Sequence, residues 1–291
     1  MQGAGRETTI LDANFVDDVI AADGARHLVI DGVTLTHGVH GIDVSRSTAV
    51  TLHQSRSTGN IIDGVLFTTV SDADGVGDGE EVLLTGRDPL NPGDVAAVSD
   101  LVTNGGFEAN GGSLTGWTRF NQTIGPGGGW FARSATLSPV RRVQLPAPPH
   151  GATAAIADSI GESILTLSQE ILMPPAASVV LGVDVMVISA FPFITPEVFT
   201  FTGMGLPLSN QFRIDLLTPG TSILASGSDV LAPLFCTEES GPLRTGYRRL
   251  LFDLTPYAGQ RVVLRFALNQ TGVLMVSGID NVRVLATGVS P

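Results

Sequence analysis

Between residues 9 and 66, apolar and polar positions alternate in short runs, TTILDA, RHLVIDGVTLTHGVHGIDV and TAVTLHQSRSTGNIIDGVL, and no stretch sustains a helical period. Such alternation predicts β-strands that each turn one face to a core. Two of the runs superimpose. Leu28 and Ile30 recur 22 positions on as Val50 and Leu52, and Gly41-Ile42 recurs 23 positions on as Gly64-Val65, with Gly38 and Asn60 at the corners between them. A repeat of this length with glycine or asparagine corners predicts a parallel coil, each turn covering the edges of the last. From residue 101 the pattern changes. SVVLGVDVMVI, FRIDLL, RRLLFDLT, QRVVLRFAL and SGIDNVRVL are strand-like runs separated by turn clusters, and Val262, Leu264 and Phe266 fall on one face. Short strands at regular spacing predict an antiparallel sandwich. The expected division is therefore 1–69, 70–100 and 101–291.

Composition narrows the partners. The 28 acidic side chains against 16 basic ones give a net charge of -12, which repels a nucleic-acid backbone or an anionic lipid surface. No run of about 18 apolar residues occurs, so no membrane span is expected. The opening MQGAGRETTILDANF has neither a basic nor an apolar leader segment, so no signal peptide is visible. Cys236 is the single cysteine, which excludes an intramolecular disulfide, and it reads as a small buried apolar residue.

GAGRETTILDA with LVIDGVTLTHGVHGIDVSRSTAVTLHQSRSTGN resembles the right-handed parallel β-helix of the pectate-lyase-like superfamily. That resemblance implies a partial solenoid over residues 1–69. The later segment, with its opening NGGFE, following GW, middle NQFRIDLL and closing DLTPYAGQRVVLRFALNQTG and GIDNVRV, resembles the galactose-binding-like jelly rolls of bacterial extracellular proteins. Many of these are carbohydrate-binding modules. The expected fold is all-β: a short right-handed parallel β-helix segment joined by a calcium-binding linker to a jelly-roll β-sandwich.

The linker carries the densest chemistry. Five acidic residues fall within ten positions of SDADGVGDGEEVLLTGRDPLNPGDV. Asp72, Asp74, Asp78 and Glu81 follow D-x-D-G-x-x-D-x-x-E, an EF-hand-type calcium loop from its third position onward. Carboxylates on alternate residues converge on one centre, Gly75 permits the turn, Glu81 closes the shell, and the carbonyl of Val76 is a further donor. Together with the trailing DPLNP, the stretch resembles the bacterial thrombospondin type-3-like calcium repeat. It departs from that repeat at Val70, where the first ligand is ordinarily Asp, so a weak structural Ca²⁺ site of about 10⁻⁴ M is expected, filled only outside the cell. A solvated acidic linker is the alternative. The jelly-roll resemblance implies a second Ca²⁺ site shared by Glu108 and Asp280, which would tie the first strand to the last.

Catalytic candidates are sparse. Asp43 and Asp63 sit near equivalent turns of adjacent coils, where side chains one strand spacing apart could form an acid/base pair. A solvated ladder beside a glycine corner gives the same pattern and is preferred. Trp130, Trp117 and Tyr257, with Phe120, could stack on a sugar ring if exposed, with Trp130 the best placed in its GPGGGWF loop. FPFITPEVFTFTGMGLP reads as a long insertion that covers one sheet or meets a partner. The expected function is a secreted or cell-surface bacterial protein, its jelly roll binding a carbohydrate or cell-surface polymer without catalysis. A truncated β-helix polysaccharide lyase or glycoside hydrolase is the alternative, and a structural spacer or adhesin piece with no ligand is the third possibility.

Overall fold

The computed structural model describes residues 99–287 apart from 125–126, 177, 200, 204–207 and 272–273. Before residue 99 it describes eight strands between Ile10 and Phe67 together with Val19 and Val33. The chain divides into two compact units, one built mainly from Met1–Val98 and the other from Ser99 onward.

In the first unit the strands are β1 (Ile10–Asp12), β2 (Ile20–Asp23), β3 (Val29–Asp31), β4 (Thr34–Thr36), β5 (His40–Ser45), β6 (Thr51–His53), β7 (Arg56–Ser57) and β8 (Asp63–Phe67). They pair only in parallel, as β1-β4-β7, β2-β5-β8 and β3-β6. Ile30 stands opposite Leu52, 22 positions on, and Ile42 opposite Val65, 23 positions on. Every third strand thus returns to the same sheet, and Ile30, Val33, Leu35 and Ile42 form a buried cluster against Leu11, Val19 and Ile20.

The register corrects one expectation. Asp63 pairs with His40, whereas Asp43 pairs with Leu66. The two aspartates are offset by three residues along neighbouring strands, roughly 10 Å, so they do not occupy equivalent positions of adjacent coils.

The sandwich strands are β9 (Ser99–Asp100), β10 (Thr118–Thr123), β11 (Gly128–Arg133), β12 (Ala154–Ser159), β13 (Glu162–Leu172), β14 (Ser178–Ser189), β15 (Asn210–Leu217), β16 (Ala232–Cys236), β17 (Arg248–Asp253), β18 (Arg261–Thr271) and β19 (Met275–Thr287). One sheet runs β10-β13-β18-β15-β16 and the other β11-β12-β19-β14-β17, with β9 added on β19. Ser99 and Asp100 therefore belong to the sandwich rather than to the expected connector. Successive strands pass repeatedly between the sheets: β12 to β13, β13 to β14, β14 to β15 and β18 to β19 all cross. This is an all-β, two-sheet antiparallel sandwich of the jelly-roll kind.

Alternation in β18 explains the packing. Val262, Leu264, Phe266 and Leu268 oppose Ile171, Gln169, Leu167 and Leu165 on one side and Leu216, Ile214 and Phe212 on the other. Residues directly opposite share a face, and this face looks into the sandwich, because Phe212 lies 6.4 Å, ring to ring, from Trp130 of the second sheet. The intervening residues point outward.

Candidate functional site

Two polar constructions stand out in the sandwich. The first is the outward face of the five-stranded sheet. Its rows run Thr118, Ser168, Arg265, Asp215, Pro233; then Phe120, Thr166, Ala267, Arg213, Cys236; then Gln122, Ile164, Asn269, Gln211. An outward sheet face in water needs only scattered polar groups. Here Thr166, Arg265, Asp215, Asn269 and Gln211 are all fully buried, because residues 191–199, 201–203 and 218–230 fold over them. The covering segments are pinned from below: Gln211 Nε2 donates to the Pro196 carbonyl at 3.1 Å, and Arg265 Nη1 donates to the carbonyls of Ile223 and Ala225 at 2.7 Å each. Glu162 Oε1 accepts from Thr202 N–H at 2.6 Å and Oε2 from Gly203 N–H at 2.8 Å. The described part of the apolar insertion, residues 191–199 and 201–203, thus covers one sheet. On the β10 side the face stays open: Thr118 is exposed, and Phe120 and Gln122 are half-buried. Thr166 Oγ1, beside Phe120, is buried without a hydrogen-bond partner.

The second construction joins Glu108 to Asp280. Asn104 organises the NGGFE turn, its Nδ2 donating to the carbonyls of Ser113 and Thr115 at 2.9 Å each while its Oδ1 accepts from Ala109 N–H at 3.0 Å. Gly105 lies so close to β19 that an added Cβ would stand 1.8 Å from the Val282 carbonyl oxygen. The turn delivers Glu108 to the 150–153 loop, where its Oε1 accepts from Ala152 N–H and Thr153 N–H at 2.7 Å each. Asp280 reaches the same loop from β19, its Oδ2 accepting from His150 N–H at 3.1 Å. Asp184 lies opposite Asp280 across a bulge in the β14–β19 ladder.

Burial, and then the neighbouring carboxylates of Asp184 and Glu108, push the Asp280 carboxyl up to about 7. The Tyr247 hydroxyl is pushed up as well, by burial and by Asp280 and Asp184. A group of acids that cannot all ionise comfortably is the electrostatic setting a hard dication relieves. Among the described residues no three His, Cys, Asp or Glu side chains stand close enough to hold a metal by themselves. An ion here would need backbone carbonyl oxygens, the usual complement of calcium.

The remaining expected residues fall as follows. Trp130 is not a solvent-facing platform: it sits on β11, fully buried against Phe212, because the glycine-rich run is itself a strand whose alternation turns this ring inward. Trp117 is 8% exposed, packs between Phe107 and Phe266, and donates Nε1–H to the Asn104 carbonyl at 3.1 Å. Tyr257 is half-buried on a short 3-10 turn. Burial pushes the Cys236 thiol up to about 11, so it stays protonated and unreactive. Asp72, Asp74, Val76, Asp78 and Glu81 lie outside the described residues. No helix among the described residues is long and apolar enough to cross a membrane.

The fold and its two polar constructions define a jelly-roll sandwich with a covered polar face. No protein-family model matches the chain, and no curated protein sequence matches it. Among solved structures it is similar to TmCBM61 in complex with beta-1,4-galactotriose, at 12% identity over 65% of this chain and 99% of that one, with a TM-score of 0.40. It is also similar to the K1 cleaved adhesin domain of Lys-gingipain from Porphyromonas gingivalis W83, at 16% identity over 60% and 92%, with a TM-score of 0.37. The enzymatically active domain of bacteriophage CBA120 tailspike protein 4 matches at 10% identity over 89% of this chain and 35% of that one, with a TM-score of 0.40. These likenesses are weak, and the function rests on this chain's own residues.

Proposed function

We propose that the sandwich is a non-catalytic carbohydrate-binding module of a secreted or cell-surface bacterial protein, its ligand lying across the outward face of the five-stranded sheet. The observation that carries this reading is the open β10 side of that face. Phe120 there offers a half-exposed ring between Thr118 and Gln122. A sugar presents an apolar C–H face and a rim of hydroxyls, so one aromatic ring among hydrogen-bonding side chains is the complementary surface.

Two structural proposals accompany it. The parallel pairing of the eight strands between Ile10 and Phe67 at repeats of 22 to 24 positions supports coils of a right-handed parallel β-helix. The shared grip of Glu108 and Asp280 on the 150–153 loop supports a structural Ca²⁺ there, which would neutralise the acids and tie the opening turn to the last strand. The loop Asp72–Glu81 is a second calcium site proposed on its sequence, and the extracellular location is proposed with it.

Affinity electrophoresis of the full chain against a panel of neutral and acidic polysaccharides tests the binding reading. Retardation by at least one polymer, lost in Phe120→Ala while the melting temperature stays within a few degrees, is the expected outcome. A panel that retards nothing, or retardation that survives Phe120→Ala, would sink it.

A further inference from the structure

Deeper along the same face, two guanidinium groups share one carboxylate. Arg265 Nη2 donates to Asp215 Oδ2 at 2.6 Å, and Arg213 Nη2 donates to Asp215 Oδ1 at 3.0 Å. The Nη1 atoms go to main-chain carbonyls, Arg265 to Ile223 and Ala225, and Arg213 to Glu197 at 3.3 Å. The Nε–H of each arginine is buried and has no hydrogen-bond partner. Arg265 and Asp215 are 0% exposed and Arg213 is 7% exposed, so this is an interior group of two positive charges on one negative. Burial lowers the Arg265 guanidinium's affinity for its proton, Asp215 offsets this, and Arg213 adds to it.

One arginine would satisfy Asp215. A second, with the Nε–H of each guanidinium unfilled, leaves positive charge uncompensated in a poorly solvated place, where a buried charge persists only with a counterion. The Nε–H and Nη–H edge of a guanidinium is also the fork that matches an oxyanion. Above both groups lies the half-buried ring of Phe199, its centroid 4.9 Å from Arg265 Cζ and 5.7 Å from Arg213 Cζ. This is cation–π cover that a ligand could displace.

We propose that Arg213 and Arg265 form an oxyanion subsite, receiving the carboxylate or sulfate of an acidic glycan on their Nε–H groups when the Phe199 ring turns aside. This inference rests on the reading of the face as carbohydrate-binding and names the ligand's class. A neutral hydroxyl could fill a donor, yet it would leave the excess charge in place. From Phe120 on β10 to Arg213 on β15 is three strand spacings, about 14 Å, a span for a short oligosaccharide with its acidic unit at the covered end.

The test is calorimetry on the full chain with oligogalacturonate, sulfated chondroitin oligosaccharide and neutral galactan oligosaccharide of matched length, and with galacturonate and inorganic sulfate alone. An acidic oligosaccharide should bind at least tenfold more tightly than the neutral one at low salt. Arg213→Gln should remove that advantage, with carboxylate and sulfate ligands ranked by the two acidic arms. Equal or tighter binding of the neutral chain, or an acidic preference unchanged in Arg213→Gln, would overturn the proposal. Neutral chains binding through Phe120 with no acidic preference would refute the subsite and leave the carbohydrate reading standing. An Arg213-dependent response to galacturonate or sulfate with no oligosaccharide binding would do the reverse. Should Arg213→Gln fail to fold, Phe199→Ala decides: removing the ring should tighten acidic ligands severalfold, and unchanged or weaker binding counts against the proposal.

Discussion

Replacing Asp280 with Asn tests the electrostatics of the Glu108–Asp280 construction most directly. The folded protein raises this carboxyl from 3.8 to about 7, chiefly through burial. The native state therefore holds the proton more tightly than the unfolded chain does. The corresponding stability is fully present below pH 4 and is lost as pH rises toward 7, where ionisation in the buried site is forced. Three units at 1.36 kcal/mol each set the ceiling at about 4 kcal/mol. Asparagine never ionises, but its amide cannot accept from both His150 N–H and Asn281 N–H as the carboxylate does, which costs about 1–2 kcal/mol. In chelator at pH 8 the variant should be more stable by about 2–3 kcal/mol, or roughly 5–10 °C in melting temperature for a domain of this size. At pH 4 the order should reverse. Millimolar calcium should raise the melting temperature of the wild type at pH 8 by more than that of Asp280→Asn, which keeps only the proposed Asp72–Glu81 loop. Thermal unfolding by circular dichroism between pH 4 and 8, with and without chelator, reads all three. Parallel pH profiles for the two proteins, or a variant less stable at pH 8 in chelator, would refute the reasoning.

Two further outcomes follow from packing. Gly105→Ala places a methyl 1.8 Å from the Val282 carbonyl oxygen and must lift the NGGFE turn off β19, breaking the Val282 N–H to Gly105 carbonyl bond. A loss of about 3 kcal/mol in urea unfolding is expected, whereas Gly111→Ala, which meets nothing within 4 Å at φ +78°, should cost only about 1 kcal/mol. Because Trp117 and Trp130 are both buried, tryptophan emission should be blue-shifted, shielded from acrylamide, and unchanged by saccharides. Quenching by a bound sugar would show that an indole, not Phe120, faces the ligand.

How far the sequence revealed this protein depends on the range of the interaction that sets each feature. Strand alternation is local. Val262, Leu264 and Phe266 read correctly as an inward face, and the repeat at Ile30 and Leu52 appears as a parallel pair. The exact register is not local. Similar glycine surroundings suggest that Asp43 and Asp63 are equivalent, but the 23-residue register pairs Asp43 with Leu66 and Asp63 with His40. Trp130 failed as a platform for a related reason: glycine-rich sequence suggests a loop, but pairing with β12 makes it a strand and alternation then buries the ring.

The covered polar face was the least legible of all. Arg213, Asp215 and Arg265 alternate with apolar residues, as the solvent side of any half-buried strand does. Nothing in NQFRIDLL or RVVLRFAL announces that residues 191–199, 201–203 and 218–230 close over them. The signal lay in combining two separate readings: an apolar, proline-punctuated insertion long enough to cover a sheet, and a sheet whose outward positions are charged. Laying an apolar segment over charged side chains is costly unless those charges are paired with one another or with a ligand. In this sandwich Asp215 pairs them only in part, and the remaining positive charge points to what the face receives.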